Sequence, residues 1–293
     1  MANIKKGQFL HRDNTDPITK DNPLYIDGAG EIIELLEDIK SEVAVSDIHN
    51  PDTLSFGDMD AGFFGIIPAE DFITGDNLAS ELGITQGTGQ FSDTNWLKFA
   101  FDGKILITPQ KPIRHRISWD AIYEAGAVYG TGSDISDGEQ WMLDNDDNYS
   151  ESDRVDQDAE AEVNGDTYIV RLFRGAADNP TDSYDDEDRG SRGDDNEWNA
   201  LMLPIHERAK NGSWKYTEYA PSDVPDWSIG YSDGDLLTHR DFGDGSYTWC
   251  QETRDTDTSQ RVIRGGYGVS ILSANDSDTT DSSRGWRPVF VRG

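Results

Sequence analysis

The stretch "GYSDG" (230–234) matches the G-x-S-x-G pattern of serine hydrolases, with Ser232 as nucleophile and His239 or His206 as base. That chemistry needs a strand feeding the serine and a helix leaving it, so that the hydroxyl stands exposed on a sharp turn. "PDWSI" before and "DLLTH" after are poor material for both. In a chain rich in Gly, Ser and Asp, the match arises cheaply.

Metal chemistry is the second possibility. The five histidines, at 11, 49, 115, 206 and 239, lack zinc-ligand spacing. Calcium takes carboxylate and carbonyl oxygens. "DNDDN" (144–148), "DTD" (255–257) and above all "DDED", with Asp185, Asp186 and Asp188, can supply them, although none forms a D-x-D-x-D-G loop. Solvated acidic loops are the plainer reading of all three. Glycoside hydrolysis needs two facing carboxylates, and among 57 acidic residues no pair stands out. No residue is therefore assigned a catalytic role, and no cofactor is expected except, optionally, Ca²⁺.

Aromatic side chains carry more information. Trp214, Tyr216, Tyr219, Trp227, Tyr231 and Tyr247 crowd one loop-rich stretch. Aromatic rings among polar groups suit sugar stacking or protein contact, and equally the filling of a loop-rich core.

Several elements must position these residues. "WLKFAF" and "KILITP" around Asp102–Gly103 read as a β-hairpin. "SWDAIYEAG" (118–126) reads as a helix capped by Ser118 and stopped by Gly126, and "NEWNALMLPIHERAKNG" (196–212) as a second, with Pro204 as a bend or a boundary. "TYIVRLFRG" (167–175) is a strand, and residues 131–166 form an acidic excursion. "GAGEIIELLEDIKSEVAV" (28–45) carries an apolar stripe at helical spacing, fit to pack on its own domain or to oligomerise. The fold class is α+β and loop-rich. Residues 1–92 are expected to form an attachment or oligomerisation region and residues 93–293 a head.

Composition narrows the partners. The chain has 293 residues, 35% hydrophobic and 10% aromatic, with a net charge of −32. Hydrophobic content lies below the usual ~45–50%, but the aromatics argue against disorder. So much negative charge disfavours nucleic acid and anionic membranes. Asp predominates and the cations are mostly Arg, which suits molar salt, where screening acts over about 3 Å. Ordinary acidity with bound Ca²⁺ is the competing account. Cys250 is the single cysteine, so no intrachain disulfide forms. No apolar run is long enough to span a bilayer, and "MANIKKGQFLHRDNTDP" lacks a signal-peptide core.

Five arginines, at 261, 264, 284, 287 and 292, close this acidic chain on "RVIRGG" and "RGWRPVFVRG". In order, "NEWNALMLPIHERAKNGSW", "YTWCQET", "RVIRGGYGVS" and "GWRPVFV" resemble the C-terminal module of tailed-virus virion proteins. That module in turn resembles a C-type-lectin-like domain of the formylglycine-generating-enzyme type. "DTNWLKFAFDGKILITPQKPIRHRISWDAI" resembles the central part of the same virion proteins, so the likeness covers about residues 93–293. The enzymatic branch uses two cysteines, and Cys250 alone does not supply them.

The resemblance implies a non-enzymatic virion protein of a phage or haloarchaeal virus, a tail-fibre or baseplate part made in the host cytoplasm. Its partners would be other virion proteins and a host-surface glycan or glycoprotein, and its assembly a homotrimer. Glu197, Trp198, Trp249, Arg264, Gly265, Gly266, Gly285, Trp286 and Arg287 would be the structural motif. Arg264 and Arg287 would tie acidic or carbonyl partners, the glycines would admit close packing, and Pro288 would set the last strand at an edge or bulge. Residues 267–283 would be the displayed loop, with Ser270, Ser273, Asn275, Asp276 and Thr279 touching a receptor beside Trp227 and Tyr231. A polysaccharide-degrading tail enzyme and a purely architectural decoration protein are the alternatives.

Overall fold

Asp102 and Gly103 have φ of 52° and 73°, the left-handed pair that a two-residue hairpin turn demands. They join β4 (Trp96–Phe101) to β5 (Lys104–Pro109), in register from Phe101↔Lys104 to Trp96↔Pro109. The computed structural model describes residues 51–181, 196–207, 224–238 and 244–292. All lie within one compact unit, His49–Gly293. Residues 1–50, with the 28–45 stripe, fall outside the described residues.

Two mixed-length sheets make up an α+β frame. The first is all antiparallel, in the order β1 (Phe56–Gly57), β2 (Ala61–Ile67), β4, β5, β13 (Val289–Arg292), β8 (Asp166–Arg171), β7 (Glu160–Val163). The second runs β11 (Leu272–Asp276), β10 (Asp257–Gly265), β9 (Tyr247–Arg254), β12 (Arg284–Trp286), β6 (Arg114–His115), β3 (Thr88–Gly89). Its β12–β9 pair is parallel.

The central strands of each sheet are buried on both faces, while β7 and β8 expose alternate residues. On the first, Trp96, Ile107, Tyr168, Val170 and Phe290 pack into one core layer, while Phe63, Leu97, Phe99, Leu106 and Val289 pack into another. On the second, Trp249, Ile263 and Trp286 join the first layer, and Cys250, Val262 and Leu272 the second. Strands covered on both sides read as continuous apolar runs, as "WLKFAF" does.

The boundary expected after residue 92 is not where the domain begins. Ala61–Ile67 pairs along β4 and Thr88–Gly89 pairs with β6, so residues 56–89 are built into both sheets. Pro288 also departs from expectation. It lies in the short crossover between β12 in one sheet and β13 in the other, where its carbonyl accepts from Thr108 Oγ1 at 2.9 Å. A residue lacking an N–H fits there, outside the ladder, and β13 is central, flanked by β5 and β8.

The helices are short. Ser118 Oγ accepts from Ala121 N and caps α2 (Trp119–Glu124), which stops at Gly126 with φ of 70°. Asn196 caps α4 (Glu197–Met202), which ends at Leu203, just before Pro204, whose ring has no N–H to continue the helical ladder. α1 (Gly75–Glu81) and α5 (Asp233–Leu236) complete the set with α3 (Asp137–Asn145). α3 stands inside the acidic excursion on a reciprocal Ser136–Glu139 capping box.

Candidate functional site

The closing arginines divide into two groups. Arg264 and Arg287 are fully buried beneath α4, and both guanidiniums lean on the Trp198 ring, 5.7 and 5.4 Å from its centroid. Arg264 donates to Gly175 O at 3.2 Å and to Asn199 Oδ1; Arg287 donates to Leu236 O. Their partners are thus carbonyls, an amide and a ring, with no carboxylate in ion-pair reach among the described residues. Burial lowers their pKa, to about 10 for Arg264 and about 9 for Arg287, so both stay charged at neutral pH.

The acidic partner of this layer is Glu197, fully buried and held by Arg171 through two bonds of 2.9 and 2.6 Å. Trp198 Nε1 donates to Val269 O, and Trp249 Nε1 to Ile117 O, each at 2.8 Å. Trp286 is buried with them. A Cβ on Gly285 would lie 2.8 Å from Gly245 O. Nearby, both oxygens of buried Glu252 accept from Gly175 N at 2.9 and 3.0 Å. Burial pushes the Glu252 carboxyl up to about 7 against the pull of those backbone bonds.

The expected receptor residues scatter. Ser270 is buried, and Trp227 is buried with its ring stacked 6.5 Å from Phe63, so neither is an exposed contact. Residues 267–283 do not form one displayed loop. Leu272 pairs with Arg264 and draws Ser273, Asn275 and Asp276 into β11, an edge strand. Asn275 Oδ1 accepts from Thr279 Oγ1 at 3.1 Å, and Asp276 accepts from Gln260 Nε2 at 3.2 Å. Tyr231 is half-buried and bridges to His206.

Ser232 is a helix cap. Its backbone is relaxed, with φ of −77°, and its hydroxyl donates to Asp235 Oδ2 at 2.6 Å. His206 Nε2 lies 3.2 Å from Asp233, which accepts from Val269 N. His239, Asp185, Asp186 and Asp188 lie outside the described residues. Among the described residues no three metal-capable side chains cluster, and no helix is long and apolar enough to cross a membrane.

A different group of chemistry-bearing side chains does come together, at one end of the second sheet. It takes one position from, or just beyond the end of, each of four neighbouring strands, β6, β12, β9 and β10. Arg116 follows β6; it is exposed, holds φ of 57°, and its backbone N donates to Arg284 O at 3.0 Å. Left-handed backbone is uncommon for a side chain of this size and marks a position fixed by its surroundings. Arg284 opens β12, pairs with Tyr247, and lays its guanidinium 4.9 Å over the Tyr247 ring. Asp281 lies 3.7 Å from it, and Ser283 Oγ accepts from it at 2.7 Å.

Tyr247 in turn pairs with Gly265. Gly265 and Gly266 take φ of 97° and 79°, and Gly266 N donates to Ser246 O at 2.8 Å. A Cβ on Gly266 would fall 2.2 Å from Tyr247 Cζ, so only glycine lets the ring lie against the turn. The turn delivers Tyr267, which is 48% exposed and stands edge-on to Tyr247 at 6.4 Å. Below the row, His115 Nδ1 lies 3.5 Å from Asp244, and burial lowers the His115 pKa.

Strands about 4.8 Å apart make this row of two cations and two tyrosines about 15 Å wide. Its rim carries Asp244, Asp281 and Ser283. Sequence reading singled out neither Arg116 nor Tyr267 as a contact residue, although Tyr267 opens the stretch 267–283 expected to form the displayed loop. The available signal was three successive basic residues, Arg114, His115 and Arg116, within so acidic a chain. The chain matches no family model, and no curated protein or solved structure matches it.

Proposed function

We propose that this chain is a non-enzymatic virion protein of a tailed virus whose α+β frame is C-type-lectin-like. In this reading the frame serves as a recognition head for the host surface. Residues preceding the frame attach it to the particle or oligomerise it, as a trimer by analogy with fibres. The acidic surface suits a virus of a salt-loving host. One observation carries the reading: the end of the second sheet brings Arg116, Arg284, Tyr247 and Tyr267 together, with Arg116 and Tyr267 exposed. Loops on a rigid frame are where recognition chemistry concentrates. Ser232, bound in a helix cap, lends nothing to the hydrolase alternative.

The test is competition. Excess purified full-length chain should block adsorption of particles to host cells at the medium's own salt. Unchanged adsorption would favour a purely architectural role.

A further inference from the structure

The row at the sheet end gathers two arginines on a molecule dominated by acids. The chain carries a net charge of −32, yet Arg116 and Arg284 meet here above His115. The Arg116 guanidinium makes no ion pair or side-chain hydrogen bond among the described residues. Arg284 is 8% exposed, and its Nε–H has no partner. Its acidic neighbour Asp281 stands off at 3.7 Å, and both Asp281 oxygens are engaged elsewhere or distant, one accepting from Ser283 N and Oγ. Beside these donors, Tyr267 offers an exposed ring fixed by the Gly265–Gly266 turn.

The geometry points to an acidic saccharide, a sugar bearing a carboxylate or a sulfate ester, as the ligand of this row. This inference rests on the recognition reading above and names its ligand class. A planar guanidinium matches the paired oxygens of a carboxylate or a sulfate. The C–H face of a pyranose packs on a tyrosine ring, and the rim carboxylates and hydroxyl accept from sugar hydroxyls. A long polyanion such as nucleic acid would run beyond the row onto acidic surface and be repelled.

The charge of the chain gives the site an unusual salt dependence. At about 0.1 M salt, fields extend about 10 Å, and the acidic surface repels an approaching anion; at about 1 M they extend about 3 Å, and only contact pairs count. Affinity for an acidic saccharide should therefore rise with salt, opposite to the fall seen when a basic protein binds a polyanion.

Full-length chain is titrated with short oligogalacturonates, short sulfated dextran oligosaccharides and neutral dextran oligosaccharides at low and molar NaCl. Binding is expected to one or both acidic oligosaccharides, stronger in molar salt, with the neutral ones silent. Which acidic oligosaccharide binds tells carboxylate from sulfate. Arg116→Gln and Tyr267→Ala, at unchanged melting temperature, should each weaken binding about tenfold. Equal binding of the neutral oligosaccharides, indifference to Arg116→Gln, or affinity that falls steeply with salt would overturn the inference. If the chain blocks particle adsorption yet binds neither acidic oligosaccharide, recognition stands and the acidic-sugar inference falls. If it does neither, both fall.

Discussion

Arg264 and Arg287 lie on the same strands or strand ends as the residues of the row, only a few positions from Gly266 and Arg284, and they do a different job. The inner pair is sealed under α4 against Trp198, with carbonyls as partners. Of the outer pair, Arg116 stands exposed at the sheet end, where Tyr267 meets solvent, while Arg284 is largely covered and lies over the Tyr247 ring. Residue type is the same; position along the strand and the face it points to decide between tie and contact. The inner region should therefore govern stability and the outer one binding, and substitutions can break or sharpen that division.

Trp198→Ala should have the largest effect. It removes the ring that both buried cations share and leaves a cavity, at a cost of about 4 kcal/mol read by denaturant unfolding. Arg287→Met, which removes a buried charge while keeping volume, should cost far less.

Next in size is the pH dependence set by Glu252. Its carboxyl binds a proton more tightly in the folded chain, at about 7, than in the unfolded chain, near 4.5. Its contribution is fully present below the unfolded value and is lost as pH rises through about 7, by about 3 kcal/mol in all. Carboxylates held low, such as Asp146 and Asp235, act in the opposite direction. The measurement is therefore the difference in unfolding free energy between wild type and Glu252→Gln from pH 4 to 8. That difference should drift against the wild type as pH rises; a flat difference would remove the buried-carboxyl account.

Gly266→Ala belongs to the outer region but should still cost about 2 kcal/mol, since φ of 79° and the Tyr247 ring both oppose a Cβ. Tyr267→Ala should be the smallest, within about 0.5 kcal/mol, because its ring is half exposed. If it destabilised the fold as strongly as Trp198→Ala, the division between the two regions would be wrong.

What the sequence discloses follows the same line. Local chemistry is legible: the Asp-Gly turn at 102–103 and the caps Ser118 and Asn196 all stand where their residue types direct. The buried motif is legible too, because Trp and Gly in such numbers must be packed. Pairing between distant segments is not. β11 hides in "LSAND", whose polar residues lack strand alternation and become a strand only by lying along β10. Ala61–Ile67 and Thr88–Gly89 are claimed by β4 and β6 through pairings that no local pattern announces. The row itself joins Arg116 to Arg284 from opposite ends of the domain, so neither residue signals the other. Trp227 and Ser270 misled because composition tells which residues are sticky or polar, and only packing tells which face outward.

Hydrogen exchange on the full-length chain, with and without host envelopes at molar salt, tests the central claim most directly. Recognition through the sheet end predicts protection concentrated in the peptides around Arg116, Gly245–Tyr247, Gly265–Tyr267 and Asp281–Gly285. Protection confined to the β1 or β7 edges, or none anywhere while envelopes are bound, would contradict it.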